Sequence, residues 1–244
     1  GVLEKTLPGD KVRLLPDTAL QNPADYLKVL AVAIPKVLRM AEVGPEQVIG
    51  LGTDFTCCTM LPTRADGTPL CFDKKWRANP HAWVKLWKHH AAQPEANFIN
   101  EIGHQGNEPF LAAYGGRYSS EWFFSKLLET VNHAPEVYDA ADRFIEAGDW
   151  IVWQLCGEEK RCSSAAGFKA MCVYPDDRCG WTYPSQDFFQ TLHPKLENVV
   201  AEKLGDRLYP LGSQAGGLTA AMAKLTGLRE GLPVAREYPL PFRH

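Results

Sequence analysis

The sequence has no apolar run of about 18 residues, the length a membrane-spanning helix requires. It has no basic excess: 26 Lys and Arg against 29 Asp and Glu leave a net charge of -3. Such a balance recruits neither nucleic acid nor an anionic membrane surface. The opening, GVLEKTLPGDKVRLLPDTAL, lacks the apolar stretch behind a basic one that marks a secretion signal. No phosphate loop of the form G-x-x-x-x-G-K-[ST] is present, and no G-x-G-x-x-G turn. No C-x-x-C pair is present. The seven cysteines, at 57, 58, 71, 156, 162, 172 and 179, follow no framework spacing. Reduced, metal-free thiols in a cytoplasmic protein are therefore expected.

What is there is ordinary for a globular protein: 244 residues, 45% hydrophobic and 23% charged. That length makes one large domain or two small ones and buries a core without disulfides. Asn22-Pro23, with Asp25 behind it, predicts a capped helix start. Leu27, Leu30, Ala31, Ile34, Val37, Leu38 and Ala41 continue it at helical period, through Pro35, to a stop at Gly44-Pro45. Val48–Phe55 is apolar apart from Asp54 and predicts a strand in the middle of an α/β sheet. Asp66-Gly67 between two apolar runs predicts a hairpin. Asn79-Pro80 predicts a helix with Trp83, Leu86, Trp87 and His90 on one stripe. SSEWFFSKLLETV predicts a serine-capped helix, and GDWIVWQLCG, LENVVAEKLG and TAAMAKLTG predict helices closed by glycine.

Few residues stand out chemically. Cys57 and Cys58 end the Val48–Phe55 run, where packing is a better default than a nucleophile with no base in reach. Lys169 lies in a small apolar stretch, CSSAAGFKAMC. Chemistry alone favours a snorkelling lysine at a sheet edge over a hydroxyl or phosphate contact. Trp87-Lys88 could line a polar pocket or belong to the core. Glu121 reads equally as a helix-dipole partner.

The stretches IGLGTDFTCCTMLPTRADGTPLC, NPHAWVKLWKHHAAQPEA, YGGRYSSEWFFSKLL, ADRFIEAGDWIVWQLCG, AAGFKAM and PLGSQAGGLT occur in this order. Together they resemble the FGGY carbohydrate kinases, and within them the ribulokinases, from Gly1 to about Ala235. The resemblance implies an α/β, ribonuclease-H-like fold of the actin and hexokinase type, with mainly helical insertions. Residues 1–235 would be part of the first, sugar-binding domain and 236–244 a divergent tail. The ATP-binding second domain would be absent. The implied reaction of the parent enzyme is ATP- and Mg2+-dependent phosphorylation of a ketopentose, L-ribulose to L-ribulose 5-phosphate, in L-arabinose catabolism. A homodimer is compatible with it.

The resemblance also assigns residues. The family's strand end, DFT-small-CT, turns its small residue into the pentulose pocket; Cys57 stands where alanine is usual, and Cys58 matches a family cysteine. Lys169 of GFKA matches a lysine that contacts the sugar, which overturns the snorkelling reading. Trp87, Lys88 and Glu121 complete the implied substrate-binding set. The family's catalytic aspartate belongs to an Asn-x-Asp-Ala-His segment after GLPVA; here the chain reads REYPLPFRH, and no aspartate follows Asp206. No catalytic residue is therefore assigned, and Glu237 is the only carboxylate near that place. A fragment inactive alone, with no bound cofactor, is the expectation. Its alternatives are a non-catalytic sugar-binding or regulatory module and a remnant that binds nothing.

Overall fold

The computed structural model describes residues 1–9, 12–173, 182–205 and 207–236, with the backbone of 238–239. Cys179 and Glu237 lie outside the described residues. Strand β1 (Val2–Leu3) pairs antiparallel with β2 (Leu20–Gln21), and helix α1 (Pro23–Ala41) follows. Asn22 caps α1 by accepting from the Ala24 N–H, and the helix runs through Pro35. It stops at Glu42, which takes the left-handed conformation at φ 54° and closes the last turn two residues ahead of Gly44-Pro45. Tyr26, Leu27, Leu30, Ile34 and Leu38 pack inward, whereas Val37 is exposed, as are Val29 and Met40.

After α1 come β3 (Asp54–Phe55), β4 (Met60–Thr63), β5 (Val84–Lys85), α2 (Gln93–Gln105) and α3 (Pro109–Ala113). Then follow α4 (Phe123–His133), α5 (Pro135–Ala140), β6 (Arg143–Glu146), α6 (Ala147–Cys156), β7 (Arg161–Cys162) and α7 (Ser163–Lys169). The chain continues through α8 (Gln186–Leu192), β8 (Leu208–Tyr209), β9 (Gln214–Gly217), α9 (Ala220–Thr226), β10 (Pro233–Ala235) and β11 (Tyr238–Pro239). The main sheet has the order β1-β2-β5-β4-β6 and every pairing in it is antiparallel. Both faces of its β5-β4-β6 part are buried. Met60 and Phe144 point into a large cluster formed with α2, α4 and α8, while Leu61, Val84 and Ile145 point into a second cluster with α1, α6 and α9. This two-residue alternation also puts Lys85 and Glu146 on the α4 side, opposite Val84 and Ile145.

Several expectations are corrected. The Val48–Phe55 run is not a central strand: Ile49 is 86% exposed, and only Asp54–Phe55 is regular, pairing parallel with β11. Leu51 bridges to Val234 of β10, so β10 and β11 are the neighbours the described residues give this run. Apolar character marked a strand but could not place it within a sheet. Asn79-Pro80 starts a single 3-10 turn, Pro80–Ala82, and not a helix. The capping chemistry is the same for both; pairing of Val84–Lys85 with Leu20–Gln21 then draws the chain into the sheet. Helix α4 starts after Trp122, not at the serines: Ser119 caps a turn ahead of it, accepting from the Glu121 N–H. The LENVVAEKLG stretch forms a π turn, Val200–Leu204, before Gly205.

The Asp66-Gly67 hairpin is present, closed by Arg64 N–H donating to the Thr68 carbonyl at 2.8 Å, although a 3-10 turn replaces its second strand. Gly67 is required there. Its φ is 82°, and a Cβ would lie 3.1 Å from Gln154 and 3.2 Å from the Trp153 ring. Trp150 Nε1 also donates to the Gly67 carbonyl. Gly67→Ala is expected to cost at least about 1–2 kcal/mol from backbone handedness alone. A urea midpoint unchanged from the parent would contradict that.

Candidate functional site

The Thr56–Thr59 turn joins β3 to β4 and carries both adjacent cysteines, each 4% exposed. Cys58 has φ 67°, a left-handed conformation that is unusual for a side chain of this size. The turn persists because its surroundings hold it. Lys126 Nζ donates to the Cys58 carbonyl at 2.5 Å and to the Leu86 carbonyl at 2.7 Å. Thr59 Oγ1 accepts from the Trp87 N–H at 3.2 Å and faces Thr56 Oγ1. The Ala147 N–H at the start of α6 donates to the Thr59 carbonyl. Burial pushes the Cys58 thiol well above its usual range, helped by Glu146 and opposed by Lys126 and Lys169. It is a neutral thiol and a poor nucleophile.

Lys169 is the last residue of α7 and its ammonium lies 4.1 Å from the Trp122 ring centre, a cation–π contact. Two tyrosines fix this junction. Tyr118 OH donates to the Lys169 carbonyl at 2.6 Å and accepts from the Phe124 N–H. Tyr114 OH donates to the Gly167 carbonyl and accepts from the Met171 N–H. Glu121, next to Trp122, faces His90 Nε2 at 3.3 Å. Lys169 lies on Trp122, the neighbour of Glu121, and both charges are felt by the Cys58 thiol, so the end of α7 and the approach to α4 lie towards the Thr56–Thr59 turn. The structure thus brings Cys57, Trp87, Glu121 and Lys169 into one neighbourhood. Lys88 is ion-paired to Glu4 at 2.5 Å instead.

This neighbourhood offers a cationic donor, a carboxylate acceptor, aromatic surface and a small side chain, the set that a polyhydroxylated ligand needs. A groove of about 930 Å³ walled by Trp76, His81, Glu129 and His133 adjoins it through His90, the partner of Glu121, but is lined by none of these four residues. Among the described residues, no three His, Cys, Asp or Glu side chains are placed to hold a metal ion. Sequence reasoning missed Lys126, Thr59, Tyr114 and Tyr118, which touch the site's backbone. The available signal was a charged residue inside the apolar run WFFSKLL: Phe123 to Val131 are all buried, Lys126 at 0% exposure.

No family model matches the chain. It is 50% identical over 235 residues to a ribulokinase of Bacillus licheniformis, covering 96% of this chain and 42% of that protein. It is 48% identical over 236 residues to a ribulokinase of Mycolicibacterium smegmatis, covering 96% and 41%. Among solved structures it resembles a gluconate kinase from Lactobacillus acidophilus (TM-score 0.68, 12% identity, 93% of this chain and 41% of that one). It also resembles a xylulose kinase from Rhodospirillum rubrum (TM-score 0.64, 18% identity, 96% and 42%). The chain therefore has the mixed α/β fold of these sugar kinases and spans about two-fifths of the length of the curated relatives it matches.

Proposed function

We propose that this chain, a relative of the ribulokinases along 96% of its length, carries the sugar-binding wall of a kinase that phosphorylates the terminal hydroxyl of a ketopentose, L-ribulose, using Mg-ATP. The convergence of Lys169, Glu121, Trp87 and the Cys57–Cys58 turn supports this reading more than any other observation. Lys169 would donate to a sugar hydroxyl, Glu121 would accept from one, and Trp87 would cover an apolar face of the carbon chain. Cys57 would limit the pocket's depth. Phosphoryl transfer also needs a base and groups that position the donor. The proposal assigns those to the three-fifths of the relatives' length that this chain does not span. Residues 1–235 form the sugar-binding unit in this reading, and the 244 residues alone would not turn over. A cytoplasmic setting and a homodimer accompany the proposal.

Titration calorimetry tests it: L-ribulose is expected to bind the 244-residue chain with the same affinity in the presence and absence of Mg-ATP. No binding of L-ribulose would overturn the reading. Lys169→Met is expected to weaken that binding tenfold or more, because a hydrogen bond to a charged group is worth about 1.5–3 kcal/mol and about 1.4 kcal/mol is tenfold. An unchanged dissociation constant would return Lys169 to a simple cation–π contact.

A further inference from the structure

We propose that Lys126 is the positioning residue of the sugar site: by donating to the Cys58 and Leu86 carbonyls at once, it sets the spacing between the Cys57–Cys58 turn and the Trp87 segment. The inference rests on the sugar-site reading above and names a device within it.

Three observations carry it. The first is direction. Lys126 belongs to the fully buried stretch of α4, yet its ammonium spends two donors on backbone carbonyls of two other segments, both beside proposed sugar-facing residues. Leu86 immediately precedes Trp87, and Cys58 immediately follows Cys57. The second is the state of the backbone it grips. Cys58 is held at φ 67°, a conformation that persists in a non-glycine residue only when its surroundings over-determine it. Lys126 takes its carbonyl. The third is that the same two segments are tied again by Thr59 Oγ1 and the Trp87 N–H. A core needs only apolar contact to hold two strands together. A lysine buried to 0% exposure and directed at carbonyls fixes their separation instead.

The anchor is itself fixed. Lys85 Nζ of β5 donates to the Lys126 carbonyl at 2.8 Å and also to Glu129 and Thr130 of α4, so α4 cannot slide relative to β5 without breaking those bonds. Lys126 does not touch the place proposed for the sugar; it acts through Cys57 and Trp87.

The test compares Lys126→Met with Leu128→Ala in the 244-residue chain. Leu128→Ala opens a cavity in the same helix and should lower the unfolding temperature while leaving the L-ribulose dissociation constant within twofold. Lys126→Met should raise that constant tenfold or more. It should also speed amide exchange about tenfold in 57–59 and 86–88, beyond any change in the rest of α4. Should Lys126→Met not fold, Thr59→Val carries the test: it removes the second tie at nearly constant volume and is expected to raise the constant threefold or more. Loss of stability with an unmoved constant in the variants that fold would make Lys126 an ordinary core staple and overturn the inference alone. Absence of L-ribulose binding in the parent chain would overturn the sugar reading and, with it, this role.

Discussion

Glu129→Ala is expected to remove about 3–5 kcal/mol of unfolding free energy, the effect of stripping one partner from a buried ion pair. Glu129 is 6% exposed and Lys85 1%. The Lys85 ammonium has three donors and all three are used: Glu129 Oε2 at 2.6 Å, Thr130 Oγ1 at 2.7 Å and the Lys126 carbonyl at 2.8 Å. His89 completes the cluster. Its Nδ1 accepts from the Ala19 N–H, which makes Nε2 the protonated nitrogen, donating to Glu129 Oε2 at 2.9 Å. Burial by itself would push the Glu129 carboxyl up, but Lys85 and the His89 N–H hold it well below the usual carboxylate range. Alanine would leave a desolvated ammonium without its counter-charge and an imidazole N–H without an acceptor. The control is Lys85→Met with Glu129→Gln, which removes both charges but leaves an amide oxygen for the His89 N–H, and is expected to cost far less. Urea unfolding of the three proteins decides the matter. A Glu129→Ala loss below about 1 kcal/mol, or a double variant as unstable as the single one, would show that the cluster is solvated.

None of this cluster was legible from residue patterns, and the reason is physical. Lys85, His89 and Glu129 are 44 residues apart end to end and meet only because β5 is drawn into the sheet beside β2, where the capping signal at Asn79-Pro80 suggested helix. Local signals worked where local chemistry decides. Asn22 caps α1, Gly157 closes α6 and Thr219 caps α9 through the Met222 N–H, as their residue types imply. They failed where a partner strand decides, as at Val48–Phe55. For the site, chemistry alone ranked Lys169 as a snorkelling side chain. Only a resemblance to known kinases drew attention to it, and the cation–π contact with Trp122 is a feature no spacing rule could supply. The supporting residues carried a faint signature, charges and hydroxyls inside apolar helices, that periodicity treats as noise.

The second large effect concerns pH. Stability is expected to fall by roughly 2–3 kcal/mol between about pH 6.5 and 8, by about 1.4 kcal/mol per pH unit for each group that holds its proton only in the folded state. Glu146 ends β6 with its Oε1 buried and without a hydrogen-bond partner. Burial, then the neighbouring Asp149, push its carboxyl up to about 8 against the pull of Lys126. Burial raises Asp149 to about 7, although Arg161 and the Cys162 N–H oppose the shift. An acid whose folded value is raised stabilises the fold fully below its unfolded value and loses that contribution as pH climbs through the folded one. Below pH 6.5 two histidines hide the trend. His81 is held down to about 3 and His89 below its usual range, chiefly by burial, so both add stability as pH rises towards 6.5. Above pH 8 the sign turns again. Burial lowers Lys126 to about 8, and a depressed base regains stability as its unfolded form deprotonates, up to about pH 10.5. The buried thiols of Cys58, Cys71 and Cys172, held above their usual range by burial, oppose that gain from about pH 9, so the fall between pH 6.5 and 8 is the part of the profile that isolates the carboxyls. Glu146→Gln removes the larger part of the fall, about 2 kcal/mol. At about 2–4 °C per kcal/mol for a chain this long, that is roughly 4–8 °C in unfolding temperature between pH 6.5 and 8. Parallel melting curves for the parent and Glu146→Gln across that window, with equal slopes against pH, would show that Glu146 is ionised and solvated in the fold.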